Sequence, residues 1–316
     1  MKKQLQIADC RLQNKNSNQC DKVATPNPQS AIRNPQLKHF SLFVLFAIFA
    51  LTLTSSCIPT AKPSRPLVAC SISPQAYFLK QLLAADVEVL VLLPPGASAE
   101  SFEPTMLQMK TLPRAKIYFA MGHPHFSFEQ NWLPKMLSQN PTIKLHKAQS
   151  LFKDFTDDPH VWLSPLLMIT YVDAMAKELK LAFPQLSPRI DARQAKLSEA
   201  MFNLHTEIQA TLRPYAGRTF LVFHPAWSYF AKDYGVKQLA IENEHKSPSP
   251  RQLQLILNQA QAEKINTIFV QPAYDVKIAQ AAAETLHAQL ATAEPMEADW
   301  FKGLRQFTIL LVQSWQ

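Results

Sequence analysis

Short apolar runs alternate with amphipathic segments along most of the chain after residue 66. Six runs are rich in β-branched and aromatic residues and have the length of buried strands: LVACSI from residue 67, VEVLVLL from 87, KIYFAMG from 116, TFLVFH from 219, VKQLAIE from 236 and NTIFVQ from 266. Amphipathic segments such as YFLKQLLAA and RQLQLILNQAQAE stand between them. Strands that alternate with helices in this way predict parallel β-sheets covered by helices.

One long segment interrupts this alternation. Residues 188–215 contain no glycine, and no proline stands between Pro188 and Pro214. Seven apolar residues recur there at helical spacing: Ile190, Ala195, Leu197, Met201, Leu204, Ile208 and Leu212. We therefore predict an α/β fold of two lobes with parallel-type sheets, residues 67–186 and 216–316, joined by a long rigid helix over residues 187–215. Residues 57–66 are assigned to a linker.

The N-terminal segment, residues 1–56, is predicted to be a leader. Residues 40–53 (FSLFVLFAIFALTL) form an uncharged apolar run of signal-peptide length, too short to span a bilayer comfortably. The following LTSSC resembles a lipobox, the bacterial motif at which signal peptidase II cuts and a diacylglyceryl group is attached to the cysteine. We expect a protein of the periplasmic or extracytoplasmic cell envelope that Cys57 anchors to a membrane. An ordinary signal peptide with an incidental cysteine is the alternative.

The basic character of the chain comes mostly from this leader. Seven of the 32 Lys and Arg residues and two of the 24 Asp and Glu residues precede Cys57, so the formal net charge falls from +8 to +3 without residues 1–56. This charge balance does not favour nucleic-acid binding, which requires a basic stripe on the folded part of the protein. Cys70 lies in an apolar run and is expected to be a buried free thiol.

Two histidines are predicted to end strand-like apolar runs, one in each lobe. His160 stands in DDPHVWL and His224 stands in LVFHPAW. Ligands of parallel α/β sheets bind at the carboxyl ends of the strands, and two such lobes turn these ends toward a common cleft. Either histidine alone could be an ordinary polar residue, but matching positions in opposite lobes indicate a shared metal ligand role.

The order and spacing of several segments resemble the metal-binding solute-binding proteins of zinc and manganese ABC transporters, the ZnuA/TroA group, over residues 67–312. The matching segments are LLPPGASAESFEPT, DPHVWLSP, the linking helix, LVFHPAWSYFAKDYG, the SPSP turn with its helix, and IFVQPAYD. The resemblance implies that one metal is held between the lobes by a residue of the PPG loop, the two histidines and a late carboxylate. It also implies a monomer that is not an enzyme and that delivers its metal to an ABC permease and its ATPase.

The predicted metal ligands are Glu100, His160, His224 and Glu294. Most of the family has histidine where this chain has Glu100, and GASAESFEPT resembles a subgroup with glutamate there. The family's late aspartate corresponds to Glu294 in ATAEPMEADW, with Asp299 or water as the alternative.

Other polar residues near these segments have smaller expected roles. The usual histidine-rich loop is missing, and in the GHPHFSFEQNW stretch that stands there His123 and His125 are expected to be solvated residues rather than transient metal ligands. Asp154, Asp157 and Asp158 are expected to make the mouth of the cleft negative, which favours cation entry.

Two imidazoles with one or two carboxylates suit Zn(II), which we favour. Mn(II) and Fe(II) remain alternatives, because sites with more oxygen ligands bind these ions relatively better. A metal-dependent adhesin on the same fold also remains open. A zinc hydrolase is less favoured, because the chain contains neither an HExxH pair nor a GxSxG elbow.

Overall fold

Two parallel sheets form the framework of the protein. The computed structural model describes residues 65–98, 102–124, 126–152, 158–242, 248–272, 274 and 277–316. The first sheet contains β1 (Leu67–Ile72), β2 (Glu88–Leu93), β3 (Ala115–Ala120) and β4 (Lys144–Lys147). The second contains β5 (Thr219–Val222), β6 (Lys237–Ala240), β7 (Thr267–Val270) and β8 (Gln289–Thr292).

The two sheets have the same topology. Their spatial orders are β2-β1-β3-β4 and β6-β5-β7-β8, and neighbouring strands within each sheet run parallel. In each sheet, the connections from the two adjacent central strands therefore lead to opposite edges of the sheet. These strands are β1 and β3 in the first sheet and β5 and β7 in the second. Such switch points open a crevice at the carboxyl ends of the strands, where ligands of α/β folds bind.

Helices cover the sheets and join them. They are α1 (Ser73–Leu83), α2 (Met106–Thr111), α3 (Ser127–Leu137), α4 (Pro165–Ala182), α5 (Ser187–Leu212), α6 (Ser228–Tyr234), α7 (Pro250–Ala262), α8 (Lys277–Leu286) and α9 (Trp300–Ser314). In the described part of the chain, none of the helices is long and apolar enough to cross a membrane.

The long helix α5 connects the two lobes and continues into a short 3-10 helix, Arg213–Tyr215. Six of its seven predicted core positions are buried, and only Ala195 is exposed. The helix packs against α1, α4 and α9. Arg305 of α9 also holds the Glu207 carboxylate of α5 with two nitrogens, at 2.9–3.0 Å. These contacts confirm the predicted α/β class with two parallel-sheet lobes and a long joining helix.

All six predicted strands are present, and two short edge strands were not predicted. Every residue of β1 is buried, including Cys70, which is a free thiol as predicted and whose pKa is raised by burial. The unpredicted strands β4 (KLHK) and β8 (QLAT) lie at sheet edges, and most of their residues are exposed. Exposed four-residue edge strands carry no apolar run, which explains why the hydrophobic pattern missed them.

Candidate metal centre

His224 lies at the carboxyl end of a central strand, as predicted. It follows β5 by two residues, and its side chain is only 2% exposed. The Nδ1 atom of its ring is 2.8 Å from Glu242 Oε2, and the ring of Tyr274 stacks on it with centroids 4.7 Å apart. Because an ionised carboxylate can only accept, His224 donates through Nδ1–H and its Nε2 carries the lone pair.

The sheet register brings Glu242 to this histidine. β6 pairs with β5, and the pairing extends two residues further, because the N–H groups of Ile241 and Glu242 donate to the carbonyls of Val222 and Phe223 at 3.0 and 2.9 Å. In the sequence, Glu242 stands out only as the last residue of the apolar run VKQLAIE. The one available signal was that it ends a strand, and its partner could not be identified before the strand order was known.

His160 directly precedes a short 3-10 helix instead of following a strand. The prediction that it ends a strand-like run is wrong, because Val161–Leu163 form a 3-10 helix that His160 precedes and α4 follows. The three apolar residues of that run are buried in the core, which gave the segment the hydrophobicity of a strand. Asp158 fixes the histidine from two positions back: its Oδ1 accepts from the backbone N–H of His160 at 2.8 Å and lies 2.6 Å from its Nδ1.

The two histidines meet between the lobes. Their ring centroids are 5.3 Å apart, with an angle of 74° between the ring planes, and both side chains are buried. Each directs Nδ1 to a carboxylate, so each ring is fixed in the tautomer that binds metal through Nε2. Outer carboxylates of this kind are common partners of metal-binding histidines, which they orient and make more basic.

Asp158 is an ionised hydrogen-bond acceptor inside the protein rather than a solvent-exposed carboxylate at the mouth of the cleft. Burial raises the pKa of its carboxyl group, but the positive charge that the His160 ring carries when protonated and hydrogen bonds from that ring, the Ser228 hydroxyl and the His160 backbone outweigh this effect and lower the pKa below its ordinary value. Both oxygens of Asp158 are hydrogen-bonded inside the protein, and its expected part in cation entry stays a prediction. Asp154 and Asp157 lie outside the described residues.

Further contacts between the lobes adjoin the histidine pair. The indole N–H of Trp162 donates to the Pro295 carbonyl at 2.7 Å, and the indole N–H of Trp300 donates to the Trp162 carbonyl at 2.6 Å. The Ser164 hydroxyl donates to Asp233 Oδ2 of α6 at 2.5 Å. The segment that carries His160 is therefore bonded directly to the second lobe.

Two of the four predicted ligands, His160 and His224, lie together in the described part of the structure. Glu100 lies outside the described residues. Glu294 Oε1 accepts the N–H of Met296 at 2.8 Å, and burial, with the nearby charge of Glu297, raises the pKa of the Glu294 carboxyl. Asp299 caps α9 by accepting the Lys302 N–H at 3.2 Å. Among the residues that the structure describes, no group of three or more His, Cys, Asp or Glu side chains is arranged to hold a metal ion.

His123 is not a solvated residue, so that prediction is wrong. Its side chain is fully buried in the loop after β3. The loop is fixed because Glu129 of α3 accepts the backbone N–H groups of Met121 and Gly122, each at 2.7 Å. The His123 carbonyl in turn accepts from Phe126 and Gln130 of the following segment. His125 lies outside the described residues.

Comparison with known proteins places this arrangement in a family. The family model described as "ZnuA: Zinc-uptake complex component A periplasmic" matches residues 68–311. The high-affinity zinc uptake system protein ZnuA of Bacillus subtilis is 22% identical over 288 residues, which cover 82% of this chain and 89% of that protein. The zinc-binding protein AdcA of Streptococcus pyogenes serotype M1 is 23% identical over 285 residues. That match covers 81% of this chain but only 55% of AdcA, so the chain spans about half the length of that relative.

Solved structures agree with this placement. A crystal structure of ZnuA superposes with a TM-score of 0.74 at 30% identity, over 79% of this chain and 99% of that one. The laminin-binding protein Lmb of Streptococcus agalactiae, described as bifunctional with adhesin and metal-transporting activity, gives a TM-score of 0.69 at 26% identity, over 79% of this chain and all of that one. With a family match over most of its length and a histidine pair between two parallel-sheet lobes, the chain belongs to the ZnuA family, the periplasmic metal-binding receptors of zinc-uptake complexes, which are not enzymes.

Proposed function

We propose that this protein captures a divalent transition metal, Zn(II) in the first place, between its two lobes and delivers it to an ABC permease and its ATPase. The observation that carries the proposal is the pair His160 and His224, whose rings face each other from opposite lobes with a carboxylate on each Nδ1. Relatives named for zinc binding or zinc uptake, and a ZnuA variant solved with zinc bound, support zinc as the cargo.

The donor chemistry suits this cargo. Zn(II) binds imidazole nitrogen and carboxylate oxygen at about 2.0–2.2 Å in four-coordinate sites. Glu100 is proposed as the third ligand, in place of the family's more common histidine, and Glu294 as the fourth. To reach the metal, Glu294 would have to exchange its bond with the Met296 N–H for the ion, whose charge would offset the cost of burying an ionised carboxylate.

Mn(II) is the alternative cargo. Two carboxylates would make the site harder than a site with three histidines, and harder sites tolerate Mn(II) better. Raw affinity nevertheless follows the Irving–Williams order, in which Zn(II) binds more tightly than Mn(II) at the same ligands. We therefore infer that zinc is preferred when the two ions are present at equal free concentrations.

The protein is proposed to work as a monomer anchored outside the cytoplasmic membrane through Cys57. One acyl chain gives only weak and reversible attachment, whereas the two chains of a diacylglyceryl group give stable attachment. The receptor would then remain close to its permease.

Zinc titration of the purified, chelator-stripped protein tests the proposal. We expect one equivalent of zinc to bind, and His160→Ala or His224→Ala to weaken binding by more than the roughly 10- to 100-fold that an outer-shell change costs. His287→Asn is the matched control, because His287 is exposed and its positive φ of 52° is one that asparagine also adopts. Wild-type affinity in both alanine variants would place the metal elsewhere.

A further inference from the structure

The carboxylate of Asp158 is bonded on two sides. Its Oδ1 accepts from the backbone and the ring of His160 at 2.8 and 2.6 Å, and its Oδ2 accepts from the Ser228 hydroxyl. The Tyr229 hydroxyl donates to the backbone carbonyl of Asp158 at 3.1 Å. Ser228 and Tyr229 begin α6 in the second lobe, so Asp158 joins a histidine of one lobe to a helix of the other.

Ser228 is also held at a fixed place relative to His224. The two residues are linked by a tight turn in which the Ala226 N–H donates to the His224 carbonyl at 2.9 Å. The Trp227 N–H donates to the Gln238 side chain of β6 at 2.6 Å, and its ring stacks on Phe307 of α9 with centroids 3.5 Å apart. The Ser228 hydroxyl therefore moves with His224 and its strand rather than as part of an independent loop.

We propose that Asp158 is a positioning residue that makes the orientation of His160 depend on contact with the second lobe, with Ser228 as its partner across the boundary. The inference rests on the proposed metal site and assigns two residues to its control. When the lobes are together, both Asp158 oxygens are occupied and the carboxylate holds the His160 ring toward His224. When they separate, the carboxylate loses its Ser228 donor and is free to rotate, and the His160 ring loses its fixed direction.

This arrangement links metal release to lobe separation. A partner that pulls the second lobe away weakens a metal ligand in the first lobe without touching the metal. By thermodynamic reciprocity, bound metal strengthens the contact between Ser228 and Asp158 to the same extent.

A second bond across the same boundary provides a matched control. Ser164 donates to Asp233 of α6 at 2.5 Å, so this bond joins the same two segments as the Ser228 bond. None of the described hydrogen bonds of Asp233 involves His160 or His224. A loss of lobe contact alone would affect both bonds alike, whereas positioning of His160 depends only on the bond of Ser228.

The experiment compares zinc affinity in the purified full-length protein, measured by competition with a chromophoric chelator, for Ser228→Ala, Ser228→Thr and Asp233→Ala. We expect Ser228→Ala to weaken zinc binding about tenfold, at the lower end of the roughly 10- to 100-fold range for outer-shell changes. Ser228→Thr keeps the hydroxyl and is expected to stay within about twofold of wild type. Asp233→Ala is expected to lower the melting temperature with and without zinc by similar amounts while its zinc affinity stays within about twofold of wild type.

The absorption spectrum of the Co(II)-loaded protein supplies a readout that a purely structural role would leave unchanged. Ser228→Ala is expected to alter the ligand-field bands, because the direction of one imidazole changes, and Asp233→Ala is expected to preserve them. Wild-type zinc affinity and Co(II) spectrum in Ser228→Ala, with affinity lost in His160→Ala, would overturn this inference and leave the proposed function intact. Wild-type affinity in His160→Ala as well would overturn the proposed function itself.

Discussion

His160 and His224 face each other across the boundary between the lobes, with ring centroids 5.3 Å apart and each Nδ1 bonded to its own carboxylate. Each lobe therefore contributes one imidazole together with the acidic residue that orients it. Neither lobe alone holds both, so a metal that binds the two nitrogens joins the lobes.

Removal of the acidic partner of His224 should weaken metal binding without removing a ligand. Glu242→Ala leaves the His224 ring without its acceptor, so its tautomer and direction are no longer fixed. We expect zinc affinity to fall roughly 10- to 100-fold, and Glu242→Gln, which still offers an oxygen, to lose less. Competition titration measures both. Glu207→Ala, which removes an exposed partner of Arg305, serves as the control and should keep wild-type affinity. Unchanged affinity in Glu242→Ala would show that the carboxylate is only structural.

Metal affinity should fall as the solution becomes acidic. Imidazole binds metal only in its neutral form, and a free histidine side chain in water takes up a proton at about pH 6.5. Protonation therefore competes with zinc below that range, and each coordinating histidine adds up to about a tenfold loss per pH unit. The zinc-induced rise in melting temperature should be full near neutral pH and diminish as the pH falls. Titrations across this range measure the slope, and a slope near zero would contradict binding through two histidines.

Glu100 should decide how strongly the site prefers zinc. Glu100→Gln removes the charge while nearly keeping the shape, and we expect it to weaken binding strongly. Glu100→His restores the family's more common ligand type and should retain binding while shifting preference further toward zinc over manganese. Paired Zn(II) and Mn(II) competition measures both effects, with the exposed Glu103→Gln as control. A Glu100→Gln variant with unchanged affinity for both ions would remove Glu100 from the ligand set.

Cys57 should determine where the protein is found. Cys57→Ser removes the only side chain of the LTSSC motif that can carry the lipid, so we expect the protein to be released from membranes or to remain unprocessed. Membrane fractionation and the mass of the mature N-terminus measure the outcome, and Cys20→Ser in the leader is the control. An unchanged membrane fraction with cleavage at another position would contradict the lipoprotein assignment.

The sequence predicted those parts of the fold whose burial is continuous along the chain. β1 and α5 were predictable because the first is an uninterrupted apolar run and the second repeats apolar residues at helical spacing. The strands β4 and β8 were not, because edge position lets polar residues occupy them. His123 was assigned to solvent because it stands between the turn-forming residues Gly122 and Pro124, while the structure buries its side chain in a loop that Glu129 fixes.

The candidate site was predictable only in part for a related reason. The two histidines stood out because each adjoins an apolar run, although for His160 that run follows the histidine and is a buried 3-10 helix rather than a strand. Their acidic partners did not stand out, since Glu242 comes from a neighbouring strand and Asp158 was assigned to the cleft mouth. Local sequence shows which residues have suitable chemistry, and the sheet order and the contacts between lobes decide which of them meet.

The most direct test is a crystal structure of the zinc-loaded protein with anomalous data at the zinc edge. We expect one zinc ion bonded to Nε2 of both His160 and His224 at about 2.0–2.1 Å. We also expect Nδ1 of His160 still to donate to Asp158 and Nδ1 of His224 still to donate to Glu242. A zinc peak bonded to only one of these histidines, or to neither, would contradict the claim that the metal is held between the lobes by this pair.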